Sequence, residues 1–239
     1  MSSDPKRTGL QVRGLTVRFG SVTAVAGIDL DVAPGEALAL VGRNGAGKST
    51  TMRVLAGVLP AQAGSVTVAG CDARRDPLAA RGVVGYCPDI GGLLPRATAW
   101  EHLQLAARLR GRSHWQHRAT ELLRSFDLDE AADRVAATYS HGMRRRLSVV
   151  LATFHSPPVV LLDEPFDGVD PLGVTATLEL VEQLRAASCA IVISTHLIEL
   201  AAQACPEAVV LRAGQVVSRT STSSLHGDRG RHTYQELLR

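Results

Sequence analysis

Lysine is almost absent from this 239-residue chain. Of its 26 basic side chains only Lys6 and Lys48 are lysines, and the rest are arginines. An N-K-x-D guanine-recognition motif is therefore impossible, which excludes a GTPase that depends on one. Cysteine is scarce as well. Cys71, Cys87, Cys189 and Cys205 form no C-x-x-C pair and read as buried free thiols, which fits a reducing compartment. A strong charge of either sign is missing too, and a net charge of +3 is too small to argue for a nucleic-acid partner. No apolar run reaches the roughly 20 residues needed to span a bilayer. The nearest, residues 147–162, is interrupted by His155, Pro157 and Pro158. The first eight residues are polar and lack a signal-peptide pattern. A role at a membrane would then run through a partner.

What the chain does have is apolar bulk and one dense motif. At 45% hydrophobic it can bury a sizeable core in one domain or two lobes of one. Gly42, Arg43, Asn44, Gly45, Ala46, Gly47, Lys48, Ser49 and Thr50 fit G-x-x-x-x-G-K-[ST], the phosphate-cradling P-loop. Small residues let successive backbone N–H groups converge on an anion, where bulky side chains would block the approach. Lys48 adds a point charge for the β/γ-phosphates, and the Ser49 hydroxyl can ligate Mg²⁺. The flanks fit the motif. Residues 36–41 read as a buried strand, and from Lys48 onward Met52, Leu55 and Leu59 share a helical face.

Patterning along the chain gives the architecture. Leu10–Phe19 and Val22–Val32 read as antiparallel strands, with Pro34-Gly35 as the turn into the P-loop strand. Residues 65–68 and 83–86 are further short strands. Helical spacing takes over at 100–109, 118–126 and 142–154. In the last, Met143, Leu147, Val150, Leu151 and Phe154 line one face, and Arg144, Arg145 and Arg146 read as a solvated one. Strands return at 159–162 and 190–194 around a helix at 172–187, and 207–211 with 215–218 reads as a hairpin around Gly214. Residues 218–231 read as a loosely ordered polar tail. Alternating strands and helices imply a parallel α/β core, with the central helical block inserted into it.

A second constellation follows the P-loop. Val159, Val160, Leu161 and Leu162 form an apolar strand that ends in Asp163 and Glu164. Ligands in open α/β sheets sit at the carboxyl ends of strands, which places Asp163 to hold Mg²⁺ beside Ser49. Glu164 is then a candidate general base for an attacking water. Ser194, Thr195 and His196 close the next strand, where His196 can reach the γ-phosphate or the water; alone, it is equally a surface or capping histidine. Tyr139-Ser140-His141-Gly142-Met143 opens a helix shortly before residues 159–164, with Ser140 a plausible N-cap at a phosphate-attracting helix N-terminus.

This order of motifs resembles the ATP-binding cassette of ABC transporters over residues 10–218 or so. The resemblance implies a P-loop NTPase fold with a RecA-like parallel core and N-terminal antiparallel β subdomain (9–87 and 158–218), an inserted helical subdomain (88–157) and a short C-terminal tail (219–239). It implies ATP and Mg²⁺ as cofactors. It makes Phe19 the aromatic that stacks on adenine, Asp163 the metal-organising aspartate, Glu164 the catalytic glutamate, His196 the switch histidine and Asp170 a D-loop residue. Ser140, His141 and Gly142 stand at signature positions, which contact the nucleotide of a partner cassette. Two departures stand out. His141 replaces a glycine, and Asp89 stands where a glutamine is usual, where it is a candidate metal contact. The resemblance further implies a second cassette, a homodimer being the expected form, and an integral-membrane permease. That places the chain at the cytoplasmic face of the cell membrane. The surface around 94–101 would meet the permease, with Trp100 either its anchor or packed within the helical lobe. An exporter of a drug, antibiotic or lipid-like substrate is expected. The alternatives are a haem, ion or importer cassette, or a soluble non-transport ATPase of the same type.

Overall fold

Three runs that stay apolar up to their carboxyl ends, Ala37–Val41, Val159–Asp163 and Ala190–Thr195, lie side by side as parallel strands. The computed structural model describes residues 9–89, 91–225 and 227–237. The polar start, with Lys6, falls outside them.

In chain order the strands are β1 (Leu10–Phe19), β2 (Val22–Val32), β3 (Ala37–Val41), β4 (Ala63–Val68), β5 (Cys71–Asp72), β6 (Val84–Cys87), β7 (Val159–Asp163), β8 (Ala190–Thr195), β9 (Glu207–Arg212) and β10 (Gln215–Ser221). The helices are α1 (Lys48–Leu55), α2 (Pro77–Gly82), α3 (Ala99–Leu109), α4 (Gln116–Ser125), α5 (His141–Thr153), α6 (Pro171–Ala186), α7 (Ile198–Ala204) and α8 (Gly227–Leu237). One antiparallel sheet has the order β2-β1-β4-β5. The other is β10-β9-β3-β8-β7-β6, parallel throughout except for the β9–β10 hairpin.

The central strands are apolar on both faces because both faces are covered. Val160 and Leu162 of β7 and Ile191 and Ile193 of β8 face the core shared with α3 to α7. Their neighbours Val159, Leu161, Ala190 and Val192 face a second core with α1 and the antiparallel sheet. A one-residue slip would exchange the two sets, so register is tightly specified.

Two expectations need correction. The polar tail is not loose: β10 continues to Ser221, a 3₁₀ turn covers Thr222–Ser224, and α8 follows. Thr222 is buried and donates to the carbonyl of Cys205, while Tyr234 and Leu237 pack on the main core. A few well-spaced anchors order a stretch whose composition is polar. Nor are Arg145 and Arg146 solvated; both are buried, and only Arg144 is exposed. Helix α5 is buried over most of its circumference, against β6, β7, α3, α4 and α6, so its arginines cannot all reach water. Arg146 donates to the Phe126 carbonyl at 2.7 Å and lies 3.6 Å from Asp170. Trp100 is half-buried and packs on Trp115 (centroids 6.3 Å apart), which meets Phe154 edge-on, so its place is within the helical lobe.

His155 gives this lobe an acid limit. Burial, with Arg110 and Arg112 adding to it, pushes its pKa from the usual 6.5 down to about 3. Below pH 6.5 the unfolded chain takes up a proton that the folded chain refuses. Stability is therefore lost as pH falls from about 6.5 towards 3, by up to about 1.4 kcal/mol per pH unit. Urea midpoints measured across this range should fall less steeply for His155→Phe than for the natural chain. Parallel curves would remove His155 as the cause.

Candidate functional site

Residues 42–47 turn the chain from β3 into α1. At Gly47, the N-cap of α1, φ is 102° and a Cβ would come within 2.5 Å of the Ala24 carbonyl, so only glycine fits. The first turn of α1 carries no acidic residue and its cap makes no side-chain hydrogen bond. Its N-terminal N–H groups thus face an open cavity, the arrangement that favours an anion.

Sheet register brings the second constellation to the same place. Ser194 on β8 is paired with Leu40 on one side and Asp163 on the other. Its hydroxyl donates a short hydrogen bond to Asp163 Oδ1, which Ser49 Oγ also donates to at 3.2 Å. Asp163 is fully buried, and its Oδ2 has no hydrogen-bond partner among the described residues. Burial pushes its carboxyl above the ordinary aspartate range, against the downward pull of the Ser194 and Ser49 hydrogen bonds. An orphaned carboxylate oxygen beside a serine hydroxyl is a hard-oxygen set that suits Mg²⁺. No cluster of three His, Cys, Asp or Glu ligands occurs among the described residues, so the cation would draw further oxygens from phosphate and water.

Glu164 follows directly, in the left-handed region at φ 50°. Such a conformation costs about 1–3 kcal/mol for a residue other than glycine. It is held by two bonds from the Glu164 N–H, to Ser194 O and Ser194 Oγ, each 3.1 Å. The effect is to turn the carboxylate towards the P-loop. Glu164 Oε1 lies 3.2 Å from Lys48 Nζ. Oε2 accepts from the His196 backbone N–H at 3.3 Å and lies 3.0 Å from His196 Nδ1. Lys48 Nζ also donates to the Gly42 carbonyl at 2.8 Å and is only 5% exposed. Lysine, glutamate and histidine thus form one chain, from the buried P-loop to the half-exposed imidazole.

These groups line a cavity of about 460 Å³ walled by residues 43–50, Ala24, Asp89, Glu164, Asp167 and His196. Phe19 is elsewhere: it is 52% exposed and borders a separate, more apolar cavity with Arg53, Leu59, Tyr86 and Leu151. Ser140 caps α5 by accepting from the Met143 N–H at 3.1 Å. It does not line the P-loop cavity, and neither do His141 and Gly142. His141 instead lies over Gly168, where an added Cβ would come within 2.5 Å of the imidazole, and 4.0 Å from Asp167. Asp170 caps α6 through the Gly173 N–H at 2.7 Å. Asp89 pairs with Arg145 at 3.1 Å.

Three contributors to this region escape sequence reasoning. Ser194 shows its role only through strand register. Asp167 lines the cavity with no motif signal of its own. Tyr234 on α8 is pushed up to about 12 by burial, raised also by Glu164 and lowered by Arg43, so the C-terminal helix lies beside the site.

A family model described as ABC transporter matches residues 25–167, more than half of the chain. The chain belongs to the ABC transporter family. The linearmycin resistance ATP-binding protein LnrL of Bacillus subtilis (strain 168) is 31% identical over 95% of this chain and 74% of its own length. The daunorubicin/doxorubicin resistance ATP-binding protein DrrA of Streptomyces peucetius is 33% identical over 96% of this chain and 70% of its own. A solved ATP-binding subunit of an ABC transporter superimposes with a TM-score of 0.89 at 32% identity, covering 96% of this chain and 99% of that one. The fold of this ABC cassette is therefore the one the sequence resemblance implies: a parallel core, an antiparallel sheet and a helical layer around α3 to α5. No helix among its described residues is long and apolar enough to cross a membrane.

Proposed function

We propose that this ABC cassette binds and hydrolyses ATP to power a separate membrane permease, as an exporter of a drug, antibiotic or lipid-like substrate. The observation that carries the ATPase reading is the Lys48–Glu164–His196 chain, which lines one cavity together with Ser49, while buried Asp163 is hydrogen-bonded to that Ser49. The P-loop N–H groups and Lys48 hold the phosphates. Ser49 and Asp163 hold Mg²⁺, which screens phosphate charge when bound. Glu164 orients an attacking water and accepts its proton, and His196 fixes the Glu164 carboxylate. Export is supported by the resistance named for the Bacillus and Streptomyces relatives. Residues 9–87 and 158–218 serve as the nucleotide-binding core, 88–157 as the helical part, and 219–239 as a C-terminal segment. The cassette works at the cytoplasmic face of the membrane, held there by the permease.

Ser140 and Gly142 lie outside the P-loop cavity of their own chain, which supports a phosphate contact made to a second cassette. Phe19, half-exposed at its own cavity, supplies the adenine contact when nucleotide draws it in. Ser140→Ala with Gly142→Asp should abolish ATP-driven dimerisation in light scattering and spare ATP binding by the monomer. Loss of the Ser140 cap alone costs about 1 kcal/mol, too little to unfold the chain. A normal ATP-bound dimer would overturn the shared site. Export is tested by co-expressing the chain with a multi-span membrane protein that it pulls down from solubilised membranes. ATP-dependent efflux that needs Glu164 supports the reading; uptake overturns it.

A further inference from the structure

Arg145 is 4% exposed, yet its side chain ties together three separate elements. It leaves α5 one turn after the Ser140 cap. Nη1 donates to the Pro88 carbonyl at 2.7 Å and to the Asp163 carbonyl at 3.4 Å. Nη2 donates to the backbone carbonyl of Asp89 and, at 3.1 Å, to Asp89 Oδ1. One planar guanidinium therefore joins the helix that carries Ser140, the segment after β6 and the end of β7 that carries Asp163. Only arginine presents several donors in such a fixed fork; a lysine at this depth would reach one or two of these acceptors.

Asp89 completes the arrangement. It lines the P-loop cavity, and it also lines a smaller cavity of about 300 Å³ that includes His141, Arg144 and Arg145. Three of Arg145's four acceptors are uncharged carbonyls. Among the described residues, the Asp89 carboxylate, 30% exposed, is the anion within ion-pair distance of it. A buried charge without its partner is strongly unfavourable, so Arg145 holds the Asp89 carboxylate as its counter-charge.

We propose that Arg145 is a positioning residue that keys the signature helix to the P-loop site, with Asp89 as its counter-charge rather than a Mg²⁺ ligand. The proposal rests on the reading that Ser140 completes a second cassette's site. Arg145 then adds a direct link from the segment after β6 to the helix that Ser140 caps, beside the backbone bonds of Ala136 and Ala137 to Ala97 and Pro95. The pair leaves ATP binding within one chain untouched and controls the geometry in which two chains close.

The test is a double-mutant cycle on the full chain with Asp89→Asn, Arg145→Gln and both together, reading ATP KM, kcat and the Mg²⁺ concentration dependence. Each single variant should lower kcat about tenfold with KM within about twofold, and the double should be no worse than the poorer single. Arg145→Lys should recover part of the loss. Losses that multiply in the double variant would overturn the coupling. An Asp89→Asn variant that needs about tenfold more Mg²⁺ at unchanged saturating kcat would overturn the counter-charge role and make Asp89 a metal contact. If Arg145→Gln fails to fold, Asp89→Asn, at a partly exposed position, still decides: unchanged kcat overturns the proposal. Failure of the Ser140 reading shows separately, as ATP-driven dimers that survive Ser140→Ala with Gly142→Asp.

Discussion

Glu164→Gln should lower ATP turnover about 10²–10⁴-fold, the usual worth of a general base, while ATP still binds. The substitution keeps the size of the side chain and one acceptor oxygen, and turns the other oxygen into an N–H donor. It removes the charge that faces Lys48 at 3.2 Å and His196 at 3.0 Å. Both the resting pair and the proton acceptor are lost together. With the carboxylate charge gone, Lys48 keeps the Gly42 and Arg43 carbonyls as partners among the described residues, so affinity for triphosphate should hold or rise. Single-turnover hydrolysis and equilibrium binding separate the two effects. Turnover within about threefold of the natural chain would remove the general-base role. Weakened binding with normal chemistry would assign Glu164 to the pocket's shape instead.

How far this site can be read from sequence depends on whether a role lies in local spacing or in register. Lys48 is legible because glycine spacing and the apolar strand before it leave one backbone path. Asp163 and Glu164 are legible as the end of a buried strand. Their meeting with Lys48 is a property of the sheet: β3, β8 and β7 are adjacent although β8 and β3 lie far apart in sequence. Ser194 acts through that pairing alone, so no local pattern marks it. Arg145 and Arg146 mislead for a related reason. Three arginines in a row suggest a wet face, but the run from Leu147 to Phe154 offers apolar residues on most sides of the helix. A helix covered nearly all round buries whatever begins it. The tail misleads through composition, since Tyr234 and Leu237 are too few to show a periodicity yet enough to dock α8. Outlines of the strands, by contrast, are legible: β1 alternates buried and exposed residues, and β3, β7 and β8 are short runs that stay apolar up to their carboxyl ends.

Lys48→Ala carries the second large effect. At an effective dielectric of about 20, a charge pair about 4 Å apart contributes about 4 kcal/mol. Lys48 is 5% exposed, so solvent removes little of this. Loss of about 3–4 kcal/mol weakens ATP binding about 10²–10³-fold. No other lysine among the described residues can substitute, because Lys48 is the single one there. The variant also strips Glu164 of its cationic partner while leaving it nearly buried, so a fall in thermal stability should accompany the lost affinity. Combining the two substitutions separates these contributions. Lys48→Ala with Glu164→Gln should regain stability, since no charge is left unpaired, and should still bind ATP far more weakly than the natural chain. Calorimetry and thermal melts on the four chains decide it. Unchanged affinity in Lys48→Ala would place the phosphates away from the P-loop, and stability that does not return in the double variant would show that the Lys48–Glu164 pair is not what holds the two side chains in place.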